Sequence, residues 1–227
     1  YTLRCNLHLL KENIFLKTNN YMKVDDLKTG DILLFNEHPS SCCFSNFTKC
    51  IKSCTSSKYS HCAYVIKNRF RLKGTYVWES SFHNGSIDPS DKKRDKFGVQ
   101  LTPIEFYLNR YPGTVDIFVR KRINTEKNKI CKYKLNTIRG VVRDKPYDIN
   151  PCDWICAKFR CGPRKTTSRF WCSALLAYIL RYLGDISDCD WSLVRAQDFS
   201  VTAKNRPFRW ITTYEPETKL IKRTSII

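Results

Sequence analysis

The sequence predicts an α+β domain, and three observations carry that expectation. Short β-rich runs, "DILLF", "SHCAYVI", "TYVWES" and "TVDIFVRK", gather in the first 121 residues. A long apolar helical stripe, "FWCSALLAYIL", begins only at residue 170. Strands followed by a core helix, in place of strict β–α alternation, is the order of an α+β fold. The 227 residues, 42% hydrophobic and 27% charged, suffice for one sizeable core and exclude a disordered chain.

Taken in order, Leu3, Leu7, Leu10, Ile14 and Phe15 make a weak helical stripe in an N-terminal extension, residues 1–24. Gly30-Asp31 is a turn, and Ile32 to Phe35 is a short strand buried on both faces. Residues 36–60, polar and rich in Ser and Cys, read as a long loop. Residues 60–66 and 74–80 are β-rich runs that pair as a hairpin. A polar loop covers 83–98 and a further strand 114–121. Thr125 caps an amphipathic helix through Ile130, Tyr133, Ile138, Val141 and Val142, which Pro146 and Pro151 end. Residues 157–168 are basic, with a turn at Gly162-Pro163. Thr166, Thr167 or Ser168 caps the last helix, whose buried stripe is Leu175, Leu176, Ile179, Leu180 and Leu183 and whose stop is Gly184. Residues 25–205 make the domain, and 206–227 are read as a C-terminal tail.

Forty Lys and Arg against 21 Asp and Glu leave a formal charge of +19. Ten basic and two acidic residues fall between Arg120 and Lys145, and five more bases with no acid between Lys158 and Arg169. A face of that composition attracts a polyanion such as nucleic acid, an anionic membrane or an acidic protein, or is merely solvated. No apolar run reaches the roughly 20 residues that span a bilayer. No signal peptide is legible, and a first residue of Tyr1 leaves anything upstream out of view. Twelve cysteines invite a zinc reading for Cys42, Cys43, Cys50 and Cys54, but the C-x3-C spacing of Cys50/Cys54 and Cys152/Cys156 is not the usual C-x2-C. Most of these thiols are expected to be reduced and packed, with no metal and no cofactor.

One of those thiols, Cys172, falls in the first turn of the late helix, where unpaired N–H groups and the helix dipole favour thiolate. Such a nucleophile needs a base. Of the four histidines, His8, His38 and His83 lie in the N-terminal segment or polar loops, whereas His61 stands at the start of a strand. A hairpin whose paired positions sum to about 141 sets His61 opposite the Glu79–Ser80 end, where a carboxylate can orient the imidazole.

Five stretches in this order, "TGDILLF", "SHCAYVI", "VWES", "KPYD" and "FWCSALLAYIL", resemble the circularly permuted branch of the NlpC-type papain-like superfamily, which includes YiiX-like proteins, lecithin:retinol acyltransferase relatives and homologues in poxviruses and other large DNA viruses. The resemblance runs from about residue 25 to 205, with "AQDFS" similar to the loop after the cysteine helix. It implies an antiparallel sheet packed on a helix with the cysteine at its N-terminus, Cys172 as nucleophile, His61 as base, Glu79 as third member, and Tyr147 lining the site. It implies acyl transfer from an amide, peptide or lipid acyl bond, hydrolase or acyltransferase, in a virion or the cytoplasm of an infected cell. The alternative is a basic structural or packaging protein that keeps the fold.

Overall fold

A computed structural model describes residues 21–38, 45–82, 85–110, 115–162 and 167–221. The N-terminal stripe, His8, His83, Cys42 and Cys43 lie outside them, as does the Cys50 side chain, so the four-cysteine zinc reading does too. The chain is α+β, with a mixed seven-stranded sheet and, among the described residues, five α-helices. The strands are β1 (Tyr21–Lys23), β2 (Ile32–Glu37), β3 (His61–Lys67), β4 (Thr75–Phe82), β5 (Phe97–Pro103), β6 (Val115–Arg120) and β7 (Thr218–Ile221), in the order β1-β7-β6-β2-β3-β4-β5. Every pairing is antiparallel except β1–β7, so the sheet is not wholly antiparallel as expected. The parallel pair joins strands from the stretches read as extension and tail.

The helices are α1 (Ser45–Thr55), α2 (Ile104–Arg110), α3 (Lys132–Val142), α4 (Pro151–Phe159) and α5 (Cys172–Leu183). Alternation along the strands builds two cores. Ile32, Leu34, Cys62, Tyr64, Ile66 and Trp78 face α5, while Leu33, Phe35, Ala63, Val65 and Val77 face α2. Every residue of α5 from Cys172 to Leu180 is buried, and each large aliphatic there contributes about 1.5–3 kcal/mol. Gly184 ends α5 in the left-handed conformation (φ 85°), its N–H bonded to Leu180 and Arg181 carbonyls.

Several expectations need correction. Residues 36–60 are not one loop: β2 runs on to Glu37, and the amphipathic "SNFTKCIKSCT" folds as α1. The polar stretch to residue 98 gives way to β5 and α2, whose buried polar side chains masked the apolar pattern. Thr125 precedes a 3-10 turn (Glu126–Asn128), and α3 starts at Lys132, so the buried stripe is Leu135, Ile138 and Val142 while Tyr133 is 77% exposed. Pro151 starts a helix, at the first helical position where its missing N–H costs nothing. The cap of α5 is Trp171, without a side-chain cap; Thr167 and Ser168 lie in a turn before it, and Thr166 is outside the described residues. Among the described cysteines, Cys54, Cys62, Cys156, Cys172 and Cys189 are buried or half-buried, as expected of most, while Cys131, Cys152 and Cys161 are exposed. Arg120 and Arg122, counted in the basic face, are interior: Arg120 donates to the Phe199, Tyr214 and Glu215 carbonyls, and Arg122 pairs with Asp185.

The segment leading into α5 is strapped to the sheet edge. Lys145 and Phe97 carbonyls accept from Val99 and Tyr147, and Phe170 N–H donates to Pro146. Gly98 permits this approach: at φ 140°, a Cβ there would lie 2.2 Å from the Lys145 carbonyl oxygen and 2.8 Å from Pro146 Cα. Both obstacles are backbone. Gly98→Ala is therefore expected to cost about 1–3 kcal/mol, read as a lower urea midpoint, and an unchanged midpoint would show that the strap yields freely.

Candidate active site

The site forms where β3 and β4 separate. Their ladder runs from Lys67↔Thr75 to Tyr64↔Trp78, so paired positions sum to 142, not 141. The one-residue difference decides the face: His61, Ala63 and Glu79 share one side of the sheet, and Cys62 takes the other. Beyond Tyr64 the strands turn to their outer neighbours, His61 pairing with Phe35 and Glu79 with Gln100. His61 and Glu79 thus meet through side chains, not as a ladder pair. Val65 N–H donates to the Asp31 carbonyl just before β2, so by alternation the Cys62 N–H points toward β4. There it donates to the Cys172 sulfur, which places the tip of α5 at the opening between the strands.

Glu79 is fully buried at the centre of the arrangement. Its Oε2 accepts from His61 Nε2 at 2.6 Å and from the Tyr107 hydroxyl at 2.5 Å, and its Oε1 from Thr102 Oγ1 at 2.5 Å. With Nε2 held by the carboxylate, Nδ1 is the nitrogen left for the sulfur. Phe35 packs on the imidazole with ring centroids 5.1 Å apart. The first turn of α5 is fixed by Ser173, which donates to the Val194 carbonyl at 2.7 Å, and the chain before it by Ser80, which donates to Phe170 at 2.6 Å.

Hydrogen bonding from the Cys62 thiol, against the opposing effect of burial, and then the His61 ring hold the Cys172 thiol well below the usual range. Burial by itself would lower His61, but its bonds to Cys172 and Glu79 outweigh that and push it up to about 10. Burial pushes the Cys62 thiol and the Tyr147 hydroxyl up, and the neighbouring Cys172 charge pushes them further, so both stay protonated as donors. Both directions favour a thiolate beside an imidazolium over a neutral pair. A raised imidazole stabilises the fold below its ordinary pKa of about 6.5, and that contribution is lost as pH rises through about 10. Near pH 6 the chain should show thiolate absorbance in the ultraviolet that Cys172→Ser removes; identical spectra for the two proteins would mean the sulfur rests protonated.

Over the sulfur lies a narrow cleft lined by Tyr59, Tyr147, Trp154, Trp171, Cys172 and Val194, among others. Its interior is about 20 Å³, room for about one water. The four residues singled out from the sequence, Cys172, His61, Glu79 and Tyr147, are all at this locus. Cys62, Thr102, Tyr107 and Ser173 were missed. Alternation past His61 carried a signal for Cys62, whereas Thr102 and Tyr107 lie in elements that the pattern did not reveal. His38 is elsewhere, paired with Asp116 at 3.1 Å. Among the described residues no cluster of His, Cys, Asp and Glu has the arrangement of a metal site, and no helix is long and apolar enough to cross a membrane. No protein-family model and no curated protein sequence matches the chain.

Proposed function

We propose that the chain is a thiol hydrolase or acyltransferase of the circularly permuted NlpC-type papain-like kind, cleaving an amide, peptide or lipid acyl bond. The observation that carries this reading is the Cys172 sulfur lying against an imidazole whose far nitrogen is held by a buried carboxylate. Cys172 thiolate attacks the carbonyl carbon, and the carbonyl oxygen takes the electron pair. The Cys172 backbone N–H at the start of α5 and the Tyr147 hydroxyl are the donors for that oxyanion. Collapse expels the leaving group, which takes the His61 proton and leaves a Cys172 thioester. His61, now neutral, removes a proton from water or an acceptor alcohol or amine, which attacks the thioester and restores the thiolate. The apolar lining of the cleft favours an acyl group without charge.

A second reading, a basic structural or packaging protein of a virion that retains the fold, is favoured by the small volume above the sulfur. Incubation with a panel of fluorogenic acyl esters and amides separates the two. The enzyme should acylate Cys172 rapidly, with mass added to its peptide and turnover lost in Cys172→Ala. Modification of Cys172 no faster than the exposed Cys131, Cys152 and Cys161 would remove the enzymatic reading.

A further inference from the structure

The turn joining β3 and β4 (residues 68–74) and the start of α3 enclose a second depression of about 650 Å³, within the size range of small-ligand sites. Arg69, Arg71, Lys132 and Arg139 line it with the amides of Asn68 and Asn136, and no acid does. Elsewhere several buried and half-buried cations have carboxylates: Lys96 touches Asp88, Asp91 and Asp144, Arg122 touches Asp185, and Arg160 touches Asp198, whereas Arg120 is held by carbonyls. Among the described residues none of these four makes an ion pair. Arg139 is held over the Phe70 ring at 4.5 Å, and Phe70 in turn packs on Trp78 at 5.6 Å. Burial and then the nearby Arg143 push the Arg139 guanidinium down, more than the carboxylates of Asp88, Asp91 and Asp144 push it up.

The turn backbone is fixed. Asn68, Phe70 and Arg71 all have positive φ (51°, 56° and 64°), a conformation disfavoured for bulky residues and retained where surroundings impose it. Asn68 closes the turn by accepting the Gly74 N–H on its side chain at 2.9 Å. Two arginines thus extend from this turn toward a lysine and an arginine two turns apart on one face of α3. We propose that this depression binds a compact anion carrying several phosphate groups, either free or as a lipid headgroup. Guanidinium forks and amides match phosphate oxygens in geometry as well as charge. The site lies at the far end of β3 from His61, about 20 Å away at about 3.3 Å per residue, so it stands apart from the proposed thiol chemistry.

The test is calorimetric titration of the full chain with inorganic tripolyphosphate at about 0.15 M salt, where the diffuse field of a +19 chain is screened beyond about 8 Å. Saturable one-to-one binding is expected, weakened at least about tenfold in the Arg69→Ala/Arg139→Ala variant. Lys204→Ala/Arg209→Ala removes the same charge from another exposed region and should change affinity by less than about twofold. Should the first variant lose its near-ultraviolet circular dichroism, Arg71→Ala/Lys132→Ala takes its place. Flotation with neutral vesicles carrying a minority of phosphorylated inositol lipid separates the sources. Binding lost in the pocket variant assigns a headgroup, and tripolyphosphate binding without flotation assigns a free anion. Equal weakening by the two charge-matched variants, or binding to duplex DNA but not to tripolyphosphate, overturns the proposal.

Discussion

His61→Ala will slow alkylation of Cys172 by iodoacetamide at about pH 6 by at least about tenfold. An ordinary thiol, with a pKa of about 8.5, is only about 0.3% ionised there. In the native site the sulfur is held well below that range by the Cys62 thiol and the imidazolium. Removing the ring deletes a positive charge and a donor at once, while burial, which opposes ionisation, remains. A thiolate of low pKa is intrinsically less nucleophilic, with a Brønsted slope of about 0.4–0.5, so the loss in rate is smaller than the loss in thiolate. Glu79→Gln should fall between the two proteins, because the amide keeps a contact to His61 but no longer favours its charge. The rate should be nearly flat with pH around neutrality in the native chain and rise with pH in His61→Ala. Parallel profiles for both proteins would detach the thiol from the histidine.

Asp185→Ala should cost about 3–5 kcal/mol of stability, about 6–20 °C in Tm for a chain of this size. Asp185 is 1% exposed and its carboxylate accepts four hydrogen bonds from three side chains. Arg122 donates to both its oxygens at 2.9 and 2.6 Å, Thr212 donates at 2.7 Å, and the Tyr214 hydroxyl at 3.1 Å. These partners come from the chain after β6 and from the segment before β7, so the carboxylate locks the residues after α5 to the sheet. Its removal strands a buried guanidinium that, among the described residues, keeps only Asn124 as a side-chain acceptor. The cost is mostly that uncompensated charge, so Arg122→Met/Asp185→Leu should recover much of it. A loss below about 1 kcal/mol in Asp185→Ala, by urea unfolding, would mean that water reaches the arginine.

How much of this was legible depended on whether a segment buries apolar side chains. β2, β3, β4, β6 and α5 stand out because their inward residues are aliphatic or aromatic. β5 escaped because Gln100 and Thr102 are polar yet buried, the latter for the sake of Glu79. α1 escaped because a narrow amphipathic stripe among serines and lysines resembles loop composition. The proposed nucleophile and base could be named from a helix start and a strand start. Their meeting could not, because parity alone sets His61 and Cys62 on opposite faces of a continuous sheet. It takes the parting of β3 from β4 to let a helix tip on one face reach an imidazole anchored on the other, and no local pattern encodes a gap.

The parallel pairing of β1 with β7 has a mechanical consequence. Tyr21 lies beside Lys219 and Lys23 beside Ile221, so the chain enters the pair at one end and leaves it at the other. Tension applied to the polypeptide from outside both strands would slide them past each other, loading their backbone bonds together instead of peeling them singly. The pair of β1 and β7 is a shear clamp on the chain between them.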